Sequence, residues 1–263
     1  MKYLLHSGVV LAVLMPCGAF AASVFDGTWK TDVSTAQMPA KPDEYQLQKG
    51  TYTCKTCAPA FTVAADGMDH AVTGHPYYDS VAIKIVDDHT ISETDKKGGK
   101  VVSTSTSKVS ADGKTLAFEF SDSSDTNGAP VTGKGTQTRV GAAPAGAHAV
   151  SGSWRTTNIS GISDNGLTLT FNVNGDSLSM SSPTGQKYTA KLDGTDAPMT
   201  GDPGVTSVSV KKLADNKIVE TDKRDGKVIG TSTMTVAKDG KSMSVVYDNK
   251  LQGTTMSFTS KKQ

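Results

Sequence analysis

Two histidines and two tyrosines lie close together in the first half of the chain, at His70, His75, Tyr77 and Tyr78. Imidazole nitrogens bind metal ions and exchange protons near neutral pH, but this spacing matches no established zinc pattern. Adjacent tyrosines present flat rings with a polar edge, which suits contact with an apolar or sugar-like ligand. We predict that these four residues bind a ligand. A metal-dependent site at His70 and His75 is one alternative, and ordinary packing is the other.

The second candidate feature is a pair of cysteines, Cys54 and Cys57, separated by two residues. A redox-active pair of this spacing normally begins a helix, whose end lowers the pKa of a thiol, and the flanking sequence predicts no helix here. Covalent haem attachment requires a histidine directly after the second cysteine, and position 58 is alanine. The pair therefore predicts a structural disulfide.

Catalytic motifs are not recognisable in the sequence. No Ser-His-Asp arrangement, phosphate-binding glycine loop or pair of catalytic carboxylates stands out, so we predict no enzyme, no catalytic residue, no metal ligand and no cofactor. The formal net charge is +1 and the basic residues are dispersed. This charge pattern argues against nucleic acid as a partner.

The chain contains an internal duplication. Residues 66–122 align with residues 193–249 without a gap, and about 25 aligned positions are identical. Each copy also opens alike, with a Gly-x-Trp that places Trp29 and Trp154, the only two tryptophans, on a first strand. The boundaries predict one repeat at 23–141, a linker rich in alanine at 142–150, and a second repeat at 151–263.

Alternating apolar and polar residues predict strands throughout both copies. Leu116, Phe118 and Phe120 alternate with polar or small residues, which gives a period of two. Asp112-Gly113 is typical of a tight hairpin and would place Val109 opposite Leu116, with the same pairing in the second copy. Eight to ten strands per repeat usually close into a barrel or stack as a sandwich. The predicted fold class is all-β, with two tandem antiparallel meander barrels.

The first residues read as a secretory signal. A lysine, an apolar stretch over residues 4–15 and the small residues Ala19 and Ala21 predict a signal peptide at 1–22 and an exported protein, periplasmic or secreted. Lipidation at Cys17 is an alternative, which the preceding Pro16 disfavours. No later stretch is long and apolar enough to predict a transmembrane segment.

A charged motif, Glu-Thr-Asp-Lys, recurs at 93–96 and 220–223. We interpret it as a solvated strand end whose charges pair across the strands with Lys100 and Lys227. The alternative is that the carboxyl group of Glu93 points inward and holds a ligand or a lysine, because Glu93 shares its strand face with Ile91.

The opening 25–30 (FDGTWK), the meandering strands and a final strand containing Thr136, Gln137, Thr138 and Arg139 resemble the lipocalin and fatty-acid-binding superfamily. The Trp-Lys start and the Asp-Gly-Lys hairpins resemble, more closely, exported bacterial lipocalin-like proteins. The resemblance implies a barrel that holds a small, partly apolar molecule. We therefore expect a binding protein; a structural or interaction module of the cell envelope with filled barrels is the alternative.

Overall fold

The computed structural model describes residues 23–124 and 129–263. These residues form twenty strands, and the only helical segment among them is a short 3-10 turn at Asp164–Gly166. The predicted signal peptide lies outside the described residues. In chain order the strands are β1 (Gly27–Gln37), β2 (Asp43–Gln48), β3 (Thr51–Cys54), β4 (Phe61–Ala64), β5 (His70–Ala71), β6 (Ser80–Asp87), β7 (Thr90–Lys97), β8 (Lys100–Val109), β9 (Thr115–Asp122), β10 (Val131–Val140), β11 (Gly152–Ser160), β12 (Thr168–Asn174), β13 (Ser177–Ser181), β14 (Lys187–Lys191), β15 (Asp193–Pro198), β16 (Ser207–Ala214), β17 (Lys217–Arg224), β18 (Lys227–Val236), β19 (Ser242–Asn249) and β20 (Thr254–Lys262).

The strands form two antiparallel sheets of ten strands, each nearly closed into a barrel. The sheet that we call the first barrel has the order β4-β3-β2-β11-β10-β9-β8-β7-β6-β5, and the second barrel has the order β14-β13-β12-β1-β20-β19-β18-β17-β16-β15. Single bridges outside the strands, such as Lys187 with Thr200 in the second barrel, help to close the gap between the end strands. The predicted all-β fold with two tandem meander barrels is confirmed.

The two barrels exchange their opening strands. Strand β11, which begins the second repeat, lies between β10 and β2 of the first barrel, and β1 lies between β20 and β12 of the second. The sequence units 23–141 and 151–263 therefore differ from the structural units. The segment between β1 and β2 accounts for this exchange. Residues 38–42 contain Pro39 and Pro42, which keep the chain extended, so β1 does not fold back onto β2.

Each exchanged strand delivers a tryptophan to the centre of the other repeat's core. Trp154 is fully buried in the first barrel and Trp29 in the second. Each indole nitrogen donates a hydrogen bond to a carbonyl four residues earlier, Trp154 to Val150 and Trp29 to Phe25, both at 2.8 Å. The burial of a side chain of this size makes the exchange a main source of stability, since Trp→Ala in a core costs about 3–5 kcal/mol.

The hairpin registers predicted from Asp-Gly turns are confirmed. Val109 pairs with Leu116, and Val236 pairs with Met243. All four side chains are buried, so a slip by one residue would move this apolar set to the solvent face. Among the described residues, no helix has the length and apolar character needed to cross a membrane.

Candidate ligand-binding site in the first barrel

The interior of the first barrel contains a cavity of about 360 Å³. This volume lies near the lower end of the range of about 300–1,000 Å³ for small-molecule sites. Its lining mixes aromatic and aliphatic side chains with an equal number of polar ones. The lining residues include Tyr45, Tyr52, Leu116, Phe118, Glu93 and Gln137.

A pair of acidic side chains on β7 faces inward. Glu93 and Asp95 lie two residues apart and therefore share one face of the strand with Ile91, which is buried in the core. Glu93 lines the cavity, and its carboxyl group is hydrogen-bonded to that of Asp95. The interpretation of this motif as a solvated strand end is wrong for Glu93, because its strand parity with Ile91 decides its direction.

The environment of the pair favours the protonated form. Burial raises the pKa of Glu93 well above its usual range, and the neighbouring Asp95 raises it further. Burial also raises the pKa of Asp95, with a contribution from Asp122 on β9. None of the ion pairs found in the described part of the chain involves Glu93 or Asp95. The two carboxyl groups therefore retain a proton near neutral pH, since two close carboxylates cannot both ionise without a partner.

Three tyrosines surround this acid pair. Burial raises the pKa of the Tyr45, Tyr52 and Tyr78 phenols, and the charge of Glu93 adds to the effect at each of them. The rings of Tyr45 and Tyr52 are stacked with centroids 6.3 Å apart. The cavity thus has neutral phenol groups and aromatic faces around its acids.

His75 packs in an aromatic cluster next to the cavity and does not line it. Its ring stacks on Tyr78 with centroids 4.6 Å apart and meets Phe61 edge-on at 5.7 Å. Phe61 in turn lies 6.2 Å from Tyr52, which joins His75 to the tyrosines of the cavity. The His75 side chain is buried, its Nε2 atom has no hydrogen-bond partner, and burial lowers its pKa, so the imidazole is neutral.

The other two predicted ligand-binding residues lie elsewhere. His70 is on β5, and its Nε2 atom is 2.8 Å from the carboxylate of Asp66. Tyr77 points toward the second repeat and donates a hydrogen bond of 2.9 Å to Asp202. The structure therefore brings His75 and Tyr78 together but separates His70 and Tyr77 from them. Within the described ranges, no group of three His, Cys, Asp or Glu side chains is arranged to hold a metal ion.

The polar side of the cavity is organised by Gln137 on β10. Its side-chain nitrogen donates to Asp43 at 2.9 Å and to Thr156 at 3.2 Å. Burial raises the pKa of Asp43, and the hydrogen bond from Gln137 opposes that effect. Because Thr156 belongs to the exchanged strand β11, the second repeat contributes directly to this wall.

A cleft of about 190 Å³ adjoins the cavity between the two barrels. It is lined by the connector 38–42 on one side and by Gln252 and Thr254 on the other. Asp43 and Thr156 line both the cleft and the cavity, so these two residues separate the interior from the space between the barrels.

The predicted disulfide is present. Cys54 and Cys57 are bonded at an S–S distance of 2.05 Å, and both residues line the cavity. The bridge closes the turn between β3 and β4, next to the ring of Phe61 that pairs across the strands with Cys54. Its place at the cavity wall means that the disulfide also shapes the site.

Comparison with protein-family models finds no match to this chain, and comparison with curated proteins finds none either.

The second barrel has the same acid pair, but there a tyrosine hydroxyl occupies the space next to it. Glu220 and Asp222 occupy the positions of Glu93 and Asp95, and burial raises the pKa of both. The hydroxyl of Tyr188 donates a hydrogen bond to Glu220. Tyr188 pairs with Met180 across the strands just as Phe61 pairs with Cys54, so the first barrel has a phenyl ring where the second has a phenol.

Sequence reasoning missed most of this site. The shared parity of Glu93 and Ile91 was the available signal, and it favoured the inward direction that the structure shows. Tyr45, Tyr52 and Gln137 belong to strands whose motifs carry no chemical pattern of their own. Their convergence depends on the closure of the barrel, which places β2, β3 and β10 opposite β7.

Proposed function

We propose that this is an exported binding protein, not an enzyme, whose first barrel takes up a small, partly apolar molecule. The observation that carries the proposal is the cavity of about 360 Å³. Its wall combines aromatic and aliphatic side chains with polar groups, and small-molecule sites use the first for contact area and the second to orient the ligand. The resemblance to exported bacterial lipocalin-like proteins and the disulfide, which suits an oxidising compartment, support the same function.

The test is ligand retention and uptake by the mature chain. Native mass spectrometry of freshly purified protein should detect a bound small molecule, and lipids and small aromatic compounds should raise the melting temperature. A protein that is empty in every preparation, and whose melting temperature no compound changes, would count decisively against the proposal.

A cavity-filling variant tests the location. Ser105 lines the cavity and pairs with Glu93 across the strands, so Ser105→Phe should fill the cavity and abolish ligand uptake. The matched control is Thr104→Phe, one residue earlier on the exposed face of β8, which should bind as the unmodified protein does. Equal binding by the two variants would place the ligand outside the first barrel.

The second barrel favours a structural role for one half of the molecule. Tyr188, a buried ring, occupies the space next to Glu220 and satisfies its carboxyl group. This observation supports the alternative of a structural envelope module for the part of the second barrel around Glu220. We accordingly propose that the first barrel binds the ligand and that the second barrel stabilises the first.

A further inference from the structure

The two acid pairs differ in what satisfies them. In the second barrel the hydroxyl of Tyr188 binds Glu220. In the first barrel the matching ring is Phe61, which has no hydroxyl, and Glu93 faces the cavity instead. Glu93 and Asp95 are hydrogen-bonded to each other, but neither forms an ion pair with a described residue. A buried acid pair that ionises without a nearby cation is costly, so a ligand that brings a positive charge would stabilise it.

The groups facing the pair are all acidic or neutral. Tyr45 on β2, Tyr52 on β3 and Tyr78 before β6 interact with Glu93, and Asp122 on β9 interacts with Asp95. No described lysine, arginine or histidine forms an ion pair with either carboxyl group. Lys41, at the neighbouring cleft, donates its ammonium hydrogen to the carbonyl of Gln252 at 2.7 Å.

We infer that the ligand of the first barrel is a small organic cation, an amine carried on an apolar body, held by Glu93 among the rings of Tyr45 and Tyr52. This inference rests on the proposed function of the cavity. A protonated amine supplies the positive charge that the acid pair lacks, and aromatic faces attract cations through the negative potential above the ring. The apolar body contacts Leu116 and Phe118, which line the same cavity.

Binding of the cation is linked to release of a proton. The positive charge of the ammonium group stabilises the ionised carboxylate and thereby lowers the pKa of the pair, so the proton shared by Glu93 and Asp95 passes to solvent. An anionic ligand meets the opposite electrostatics, because every ionisable group that faces the pair is an acid or a phenol. The cavity therefore distinguishes ligands of one shape by their charge.

Isothermal titration calorimetry of the mature chain near pH 7.5 tests this with three probes of similar shape: 2-phenylethylamine, 2-phenylethanol and 3-phenylpropionate. We expect the amine to bind about 10-fold or more tightly than the alcohol, and the carboxylate to show no binding. Measured in buffers of different ionisation enthalpy, the heat of amine binding should report proton release. The alcohol should release none.

Variants of matched positions locate the effect. Glu93→Gln should reduce amine affinity by about 10-fold or more and change alcohol affinity by much less, because the amide keeps the size of the side chain but not its charge. Glu220→Gln, the same change in the second barrel, should leave both unchanged. Phe61→Tyr should weaken amine binding, because it offers Glu93 the hydroxyl that Tyr188 offers Glu220.

The outcomes separate this inference from the proposed function. Equal affinity for amine and alcohol, or amine binding that Glu93→Gln does not change, overturns the cation inference while the binding function stands. Amine binding that is lost only in Glu220→Gln overturns the assignment to the first barrel. A protein that binds none of the three probes, is empty in native mass spectrometry and is not stabilised by lipids or aromatics overturns both.

Discussion

Arg139 holds the exchanged strand in place. Its guanidinium group lies over the ring of Trp154 with Cζ 4.0 Å from the centroid. It donates hydrogen bonds of 2.6 Å to the carbonyl oxygens of Gly113, Ser151 and Ala149. One side chain thus joins the β8–β9 hairpin to the segment that leads into β11.

Replacing Arg139 with alanine should destabilise the protein by about 3 kcal/mol, because three carbonyl groups lose a charged donor and the indole loses its cation. The matched control is Lys262→Ala, whose ammonium lies 5.0 Å from the Trp29 ring and donates to the Val24 carbonyl at 3.2 Å. That change should cost less than about 1 kcal/mol. Urea unfolding followed by circular dichroism measures both, and similar losses would contradict the assigned role.

The buried acid pairs should make the protein less stable as the pH rises. Their pKa values are raised on folding, so the folded state holds protons that the unfolded chain releases above about pH 4. Stability from these groups is therefore complete at low pH and is lost as the pH rises through the folded-state pKa values. We expect the free energy of unfolding to fall by at least about 3 kcal/mol between pH 5 and pH 8.

The double variant Glu93→Gln/Glu220→Gln should flatten this slope, since an amide does not ionise. Exposed carboxylates such as Asp66 and Asp112 have lowered pKa values and so act at more acidic pH, outside this window. Urea titrations at each pH give the profile. A double variant whose slope equals that of the parent would show that other groups cause it.

At the scale of residues, the sequence was most informative where local chemistry decides. The bond between Cys54 and Cys57 follows from an even pair in a chain with a predicted signal peptide, and it is present. The surroundings of Glu93 depend instead on which side chains the barrel places opposite it. Alternation along a strand predicts which face of the strand Glu93 lies on, but not which strand lies opposite that face. Tyr45 and Tyr52 could therefore not be identified as neighbours of Glu93.

At the scale of strands, the exchange changes which segment of the chain contains all the strands of one barrel. The first barrel contains β2 to β11 and is continuous in sequence, whereas the second barrel needs β1 in addition to β12–β20. Hairpin registers were predictable because turns and alternation are local properties. The exchange was not, because β1 and β11 carry the same Gly-x-Trp opening, which does not indicate which of the two sheets each strand joins.

A fragment covering residues 38–162 should fold alone, because it includes every strand of the first barrel. A fragment covering 23–141 should be markedly less stable, since β2 and β10 lose the strand that pairs between them. Each fragment contains one tryptophan, so fluorescence and urea unfolding compare them directly. If the fragment 23–141 unfolds at the same urea concentration as 38–162, β1 replaces β11 and the exchange is not needed for stability.

At the scale of the whole molecule, the two barrels should unfold together. When the first barrel is unfolded, pairing β1 with β12 must close the flexible loop 38–167, which costs about 4 kcal/mol of chain entropy. When the first barrel is folded, that cost has already been met. Direct contacts such as Tyr77 with Asp202 add to this coupling.

The two tryptophans make the coupling measurable. In Trp154→Phe only Trp29 reports, and it lies in the second barrel. Adding Ile83→Ala, a cavity-forming change of about 2–5 kcal/mol in the first barrel, should lower the urea midpoint that Trp29 reports. An unchanged Trp29 midpoint would show that the barrels unfold independently.

The exchange also sets an order of events while the chain is being made. The first barrel is complete as soon as β11 has been synthesised. Strand β1 is the first of the described strands to be made, but its partner β20 is the last. Trp29 on β1 therefore pairs with Lys262 only at the end of synthesis. Until β12 has emerged, β1 has neither of its two neighbours, and until β20 has emerged one of its edges stays unpaired. Unpaired strand edges are where chains associate with one another. A chain interrupted after β11 would therefore have a complete first barrel preceded by an unpaired β1, which could pair with the same strand of another chain.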